Sequence, residues 1–476
     1  MLYNFCSQSN CSDGEYSSAA LVSDGAGNLY GTSDGGSPGG GTVFELSPDG
    51  DGSWNETVLY NFCLAVVGCT DGSGPTNVIL DRAGNLYGTT TDGGAYGYGA
   101  VFELSLVGAN WTEKVLHSFA AGGDGAYPSA GVIMDSAGNL YGTNIEVVYE
   151  LSPAGGDWTE QTIYNVGSYA PLTIDSAGNI FGVTSGPSAH TVFELSPNGK
   201  GGWNPAILHT FCGIPKDGCS PKGPLVFDGA GNIYGTTTSG GVKNLGTVYK
   251  LSPVTEGKNK GTWTEKILYT FQGGKNAEYP EAGIVFDAAG NIYGTTEHGG
   301  KDDAVYEGAG TIYELVAPKY TEKVLWSFDV ADGYQPVGSL ILDGEGNLYG
   351  TTWVGGSSGS CPDGCGVVFE VKPGFTMALK PGSASVAPGS PATSTVTVSA
   401  AGYFVGAVNL TCTVPGGDGL SCNLSPNSVT FNGTGSQTAT LTVDTSSTTP
   451  AATYTITVKG NSGSLTQSAK FKLTVQ

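Results

Sequence analysis

Basic residues are scarce in this chain: 19 Lys and Arg stand against 42 Asp and Glu in 476 residues, for a formal net charge of −23. Nucleic acid needs clustered cations to neutralise its phosphates, so that class of partner is excluded, and an anionic membrane surface is disfavoured for the same reason. Long apolar runs are missing too, so insertion into a membrane as a helix is not expected. The first residues show no charged region followed by an apolar core. Because Met1 sits inside a strand-like phrase, a leader is expected to have been lost, and "KLTVQ" at the other end carries no membrane anchor. No segment has a sustained helical period. Among catalytic signatures H-E-x-x-H is absent, and a G-x-S-x-G elbow would need a helix that the pattern does not supply.

Glycine, by contrast, is abundant, at 78 residues, and its placement is regular. "DAAGNIYGTTEHGG", residues 287–300, has near copies anchored on Asp24, Asp81, Asp135, Asp175, Asp228, Asp287 and Asp343, at intervals of 57, 54, 40, 53, 59 and 56 residues. A period of that length marks a modular array. Each unit carries four short apolar segments separated by Gly, Asn, Asp and Pro; around the sixth they are "AGIVFD" (282–287), "NIYGTT" (291–296), "GTIYEL" (310–315) and, one register earlier, "WTEKILYTF" (263–271). Richness in Ile, Val, Tyr, Phe and Thr makes them strands. Four strands in each of seven units predicts an all-β chain whose main body is a seven-bladed β-propeller, residues 1–373. "MLYNF" aligns with "VLYNF" at 58–62, while the seventh unit stops after "GVVFEV" (366–371). Residues 2–5 are therefore expected to supply the outer strand of the last blade and remove two exposed edges.

Ten cysteines fall into five close pairs: Cys6 with Cys11, Cys63 with Cys69, Cys212 with Cys219, Cys361 with Cys365 and Cys412 with Cys422. Such spacing predicts local disulfides, hence an oxidising compartment outside the cytoplasm, and zinc-site spacing between Cys pairs is absent. Bridges closing loops this short stabilise little through chain entropy, about 2 kcal/mol each, so their expected job is to stiffen particular loops. Beyond Phe375 the composition shifts to Thr, Ser and Val. "STVTVSA", "GAVNLTCTV", "NSVTF", "TATLTV", "TYTITVKG" and "KFKLTV" alternate as the strands of a sandwich spanning 374–476. That segment, with "LTC…GLSCNLSP" and "TPAATYTITV", resembles the bacterial Ig-like modules appended to secreted proteins, which serve as spacers or adhesive units.

The phrases "GNLYGTT", "GTVFEL" and "VLYNF" resemble the tandem repeat called GloVer, found in bacterial surface and secreted proteins, over residues 1–373. The resemblance implies an extracellular or cell-surface protein and no particular reaction. A weaker likeness to NHL-type propellers supports the same strand order.

The repeated aspartates suit a tight turn, in which the carboxylate accepts backbone N–H bonds and Gly takes φ > 0. No cofactor is expected; a structural calcium ion is the one left open, since a single carboxylate per phrase falls short of a ligand set. Trp54, Trp111, Trp158, Trp203 and Trp263 open the outer strands and are read as packing between blades. His117 and His209 occupy the slot of Tyr60 and Tyr269, so they too are structural. Functional variation should gather in two loop sets on one face, those leading into each inner strand and those joining second and third strands. There, aromatic rings beside acids suit carbohydrate, whose C–H faces stack on rings while its hydroxyls bond to carboxylates. Candidate ligand-binding residues are Tyr16, Tyr96, Tyr98, Tyr127, Tyr279, Tyr334 and Trp353. Candidate catalytic residues are Glu15, Glu278, Glu281, His298, Asp302, Asp303 and Asp332, because a glycosidase needs paired carboxylates and a lyase needs a base. The expected function is binding of an extracellular polysaccharide or other surface ligand by a monomer. A glycoside hydrolase or polysaccharide lyase is the alternative, and a structural or adhesive surface protein the third.

Overall fold

The structure, a computed structural model, describes all residues except 37–38, 51–52, 65–67, 187–188, 214–216, 259, 302–307, 373, 402–403, 417–418, 434 and 464. Among the described residues the chain is all-β, and its sole helical segment is the short 3-10 turn Ser9–Cys11. Two compact units are formed: Met1–Leu342 with Leu348–Glu370, and Asp343–Asn347 with Val371–Gln476.

The first unit contains seven four-stranded antiparallel sheets, one for each repeat. In the sixth, Val285–Phe286, Ile292–Thr296, Thr311–Val316 and Thr321–Ser327 pair in chain order. The seventh sheet has only three consecutive strands, Ile341–Leu342, Leu348–Thr352 and Val367–Val371. Its fourth is Tyr3–Asn4, with Tyr3 opposite Val368 and Asn4 opposite Val367, as the matched phrases predict. Leu2 N and Phe5 N extend the pairing, donating to Val368 O and Gly366 O.

The repeated Tyr-Gly-Thr has a steric cause. The aromatic ring of the third strand lies across the glycine of the second, so a Cβ at Gly31, Gly88 or Gly350 would come within 2.6, 2.7 and 2.6 Å of Phe44, Phe102 and Phe369. At Gly142, Gly235 and Gly294 it would strike the hydroxyls of Tyr149, Tyr249 and Tyr313. The Asp-x-x-Gly-Asn turn is equally explicit. Asp287 Oδ1 accepts from Ala289 N and Asn291 N, and its Oδ2 from Asn291 Nδ2 and Tyr293 OH. The same carboxylate bonds to i+2 and i+4 recur at Asp24, Asp81, Asp135, Asp175, Asp228 and Asp343.

Consecutive sheets pack on one another. Tyr30, Val43 and Phe62 join Val78, Leu86 and Phe102 in one buried cluster, and the series returns to its start where Leu21, Leu29 and Phe44 pack with Tyr349 and Val368. Trp54 meets Tyr349 edge-on at 6.2 Å and Trp203 meets Tyr141 at 5.7 Å, so these indoles fill the space between neighbouring sheets. Threonine hydroxyls of the second strands also cross between repeats: Thr236 donates to Ala282 O and Thr351, in the last repeat, to Ala19 O in the first, both at 2.8 Å.

One expectation is narrowed. The "AGIVFD" segment pairs with its own second strand only at Val285–Phe286. Upstream, Gly283 N donates to Ser339 Oγ of the next repeat at 2.9 Å, so this backbone serves the neighbouring repeat instead.

In the second unit, Gly374–Lys380, Ala392–Ala401, Ser436–Thr445 and Leu420–Ser425 form one sheet. Ser383–Val386, Leu465–Val475, Thr453–Ser462, Phe404–Thr413 and Ser428–Gly433 form another. Alternation buries Tyr454, Ile456 and Val458 and turns Thr453, Thr455 and Lys459 outward. Residues of both sheets, among them Val396, Leu441, Ile456 and Phe471, share a single core.

All five predicted cysteine pairs are bonded: Cys6 to Cys11, Cys63 to Cys69, Cys212 to Cys219, Cys361 to Cys365 and Cys412 to Cys422. In the first unit the bridges do close loops. Cys63 and Cys69, whose backbones are left-handed with φ of 62 and 52°, follow the outer strand Trp54–Asn61 and precede the inner strand Ser73–Leu80. Loop stiffening does not describe the fifth bridge, and that expectation is corrected there. Cys412 belongs to the strand Phe404–Thr413 of one sheet and Cys422 to Leu420–Ser425 of the other, so this bridge ties the two sheets of the sandwich together. Both side chains pack against the shared core, a placement that spacing alone does not distinguish from a loop clasp.

Candidate functional site

Six repeats place a residue with left-handed backbone either ahead of the inner strand or at its start: Tyr16, Gly74, Tyr127, Ser220, Tyr279 and Gln335, with φ of 61, 66, 54, 58, 57 and 57°; Gly74 and Ser220 lie inside the strands Ser73–Leu80 and Gly218–Phe227. Five of these are not glycine, and such strain persists only where surrounding bonds over-determine it. Here the bonds are visible. Tyr279 N donates to Leu245 O of the preceding repeat and Tyr279 O accepts from Glu297 N; Gln335 N and O are held in the same way by Ala309 and Trp353. In the sixth repeat the two loop sets are joined by a short ladder, Ala277–Glu278 against His298–Gly299, and in the seventh by the Tyr334–Val354 bridge.

Two or three residues beyond these positions, the chain enters a cavity of about 400 Å³ through Ser18, Asn77, Ser129, Lys222, Glu281 and Val337, and Tyr169 adds the remaining repeat to its lining. Lys222 Nζ and Glu281 Oε1 form an ion pair at 2.6 Å. Glu297 Oε1 accepts from Gln335 Nε2 at 2.9 Å and lies 3.7 Å from His298 Nε2. Burial, and then the charge of Glu281, pushes the Glu297 carboxyl above its usual range, while His298, Lys222 and Gln335 act against that. The His298 ring is flanked by Tyr279 at 5.9 Å and Tyr334 at 6.5 Å. A carboxyl inclined to keep its proton beside a second acid that is paired with lysine, with an imidazole at hand, is a grouping capable of acid–base work and of binding hydroxyl-rich ligands.

Of the sequence candidates, Glu281, His298, Tyr279 and Tyr334 come together in this cluster. Tyr16 packs against Trp353 at 6.4 Å and Tyr98 against Tyr127 at 5.6 Å, making two further aromatic pairs in the loops. Tyr96 stands exposed, and Glu278 is buried opposite His298 in the ladder. Glu15 Oε2 lies 3.3 Å from the Cys361 sulfur. Asp332 is engaged in its own loop, accepting from Trp326 Nε1 and Asp329 N. Asp302 and Asp303 lie outside the described residues. Glu297 was not singled out from sequence, whereas Tyr169 and Lys222 fall among the loop residues of the variable face. The signal for Glu297 was present, since the residue three after each Tyr-Gly-Thr glycine changes from repeat to repeat: Asp34, Thr91, Ile145, Ser185, Thr238, Glu297 and Trp353.

A second recurrent grouping sits where each outer strand meets the loop that follows. Tyr3 donates to Asp13, Tyr60 to Asp71 and Trp326 to Asp332, while His117 Nε2 lies 3.2 Å from Asp124. The glutamate of the next Trp-x-Glu phrase approaches the same aspartate. Burial first, then the charges of Asp13 and Asp71, raise Glu56 and Glu113 to about 7, and burial with Asp217 raises Glu265 to about 8. The histidines read as structural from their positions thus also face carboxylates.

Residues 1–168 match the family model described as the Gloeobacter/Verrucomicrobia repeat. No curated protein matches the chain. Among solved structures, the extracellular domain of the putative one-component system BT4673 from B. thetaiotaomicron is 9% identical with a TM-score of 0.28, covering 96% of this chain and 69% of that one. Domains 4 and 5 of the S-layer protein SbsC align at 21% identity and a TM-score of 0.17, covering 31% of this chain and 89% of that one. A family 123 glycoside hydrolase from Clostridium perfringens aligns at 10% identity and a TM-score of 0.17 over 22% of this chain, which spans 27% of the hydrolase. At these TM-scores the structural likenesses carry no argument about fold or activity. No helix among the described residues is long and apolar enough to cross a membrane.

Proposed function

We propose, for this repeat protein of the Gloeobacter/Verrucomicrobia type, that the seven sheets are the blades of a propeller whose variable loops bind an extracellular polysaccharide. The sandwich of residues 374–476 is an Ig-like spacer, and the protein works as a secreted or surface-displayed monomer. The observation that carries the reading is the gathering of exposed Tyr169 and the Lys222–Glu281 pair in the lining of one cavity reached by every repeat, with Glu297 close enough to feel the charges of Glu281, Lys222 and His298. An apolar ring face beside polar groups of both signs is the combination a sugar surface requires. The net charge of −23 favours neutral or cationic polymers over anionic ones.

The test is a binding screen of neutral and cationic polysaccharides with the full chain, followed by Tyr169→Ala and Trp353→Ala. Retention of one polymer class without product release, weakened at least about tenfold by the substitutions, is the expected result. Self-association with no polysaccharide bound would replace this reading with a structural one.

A second reading is favoured by the raised Glu297 carboxyl near the lysine-paired Glu281: hydrolysis or lyase cleavage of the same polymer. Release of reducing ends or unsaturated products, abolished by Glu281→Gln or Glu297→Gln, would establish it in place of simple binding.

A further inference from the structure

His117 and His209 hold the same place in their outer strands, yet their surroundings differ. His117 Nε2 is in hydrogen-bond contact with Asp124 Oδ2 at 3.2 Å, and the nearby Glu160 accepts from Thr162. His209 Nε2 instead lies 3.8 Å from Asp217 Oδ1 and 3.7 Å from Glu265 Oε1, beyond hydrogen-bond reach of either. All three atoms are buried and have no hydrogen-bond partner among the described residues. The three ligand atoms lie within 4.8 Å of one another, and the Asp217 side chain is only 2% exposed.

Burying three such atoms without partners is costly unless something sits between them. We propose that His209 Nε2, Asp217 Oδ1 and Glu265 Oε1 bind one divalent transition-metal ion of the zinc class. One imidazole nitrogen with two carboxylate oxygens suits zinc, manganese or cobalt, whereas calcium takes six to eight oxygens. Bond lengths near 2.1 Å set tetrahedral donors about 3.4 Å apart, so each carboxylate oxygen needs to approach His209 Nε2 by only a few tenths of an ångström. The fourth position is left for water. His209 belongs to the outer strand Trp203–Thr210, Glu265 to the outer strand Trp263–Thr270, and Asp217 to the loop bridged by Cys212–Cys219. The ion therefore ties two neighbouring sheets and a disulfide loop together. This is separate from the cavity site and does not depend on what that site binds.

The test uses the tag-free full chain, stripped with EDTA and dialysed against Zn²⁺ in the presence of millimolar Ca²⁺ and Mg²⁺. The expected result is one retained zinc per chain by mass spectrometry, and an X-ray absorption spectrum containing a single imidazole. His209→Gln and Glu265→Gln should each weaken retention at least about tenfold, while Glu113→Gln, at the equivalent place in a repeat with Tyr60 instead of histidine, should not. Circular dichroism of the EDTA-treated variants separates lost binding from lost folding. No zinc retained by the wild type, or retention unchanged in both folded variants, overturns the proposal.

Discussion

The turn aspartates and the outer-strand glutamates are one chemical group in two settings. Each turn carboxylate is surrounded by donors within a few residues of itself; at Asp228 burial opposes the charge, yet bonds from Asn232, Tyr234 and Ala230 outweigh that and hold the group below its usual range. The outer-strand glutamates meet partners far away in sequence. Glu56, Glu113 and Glu265 face other acids across the gap between repeats and are raised. Local pairing makes a carboxylate a fixed structural part; distant pairing leaves it able to exchange protons or accept a cation.

The sharpest way to break this contrast is Asp287→Ala. Loss of the bonds to Ala289, Asn291 and Tyr293 at a buried turn should cost about 3 kcal/mol. Denaturant unfolding followed by tryptophan fluorescence reads it cleanly, because all seven Trp residues precede residue 370 and report on the repeat unit alone. Gly88→Ala forces a methyl against the Phe102 ring and should cost about 2 kcal/mol in the same assay.

A pH series tests the other side of the comparison. Glu56 and Glu113 rise from 4.5 to about 7, chiefly by burial. Raised acids contribute stability that is complete below their unfolded values and lost as pH climbs through the folded ones. The lowered turn aspartates Asp24, Asp135 and Asp228 contribute above their unfolded values and lose that contribution on acidification. Thermal midpoints in EDTA should therefore be highest between about pH 4 and 5 and fall toward pH 8; a rise over that interval would contradict the assignment. Last and smallest, Tyr249→Phe removes a buried hydroxyl that has no partner among the described residues, and should raise stability by about 1 kcal/mol.

Much of the fold was legible because it is written locally and repeated. The turn chemistry of Asp-x-x-Gly-Asn, the strand phrases, the close cysteine pairs and the match of "MLYNF" to "VLYNF" need only neighbouring residues or a comparison between repeats. What a bridge does is less local: Cys63 with Cys69 and Cys412 with Cys422 have similar short spacings, yet one closes a loop and the other joins two sheets. The site was less legible still. Glu281 and His298 were visible as loop residues, but their association with Lys222 and Glu297 depends on distances between repeats that no local pattern encodes. Asp332 shows the converse: a loop acid of the right type, taken up by Trp326 six residues earlier. His209 differs from His117 only through its surroundings, which is why position alone made them equivalent.

The pairing of Tyr3–Asn4 with the seventh repeat also has a mechanical side. Residue 2 lies beside Val368, close to the point where the chain leaves the first unit, so tension between Met1 and the segment beyond Val371 would open that ladder like a zip, one bond at a time. Phe5, fully buried, and the Cys6–Cys11 link behind it would then act as the stop. A force–extension trace on the full chain should accordingly begin with a short, low-force release before any larger rupture.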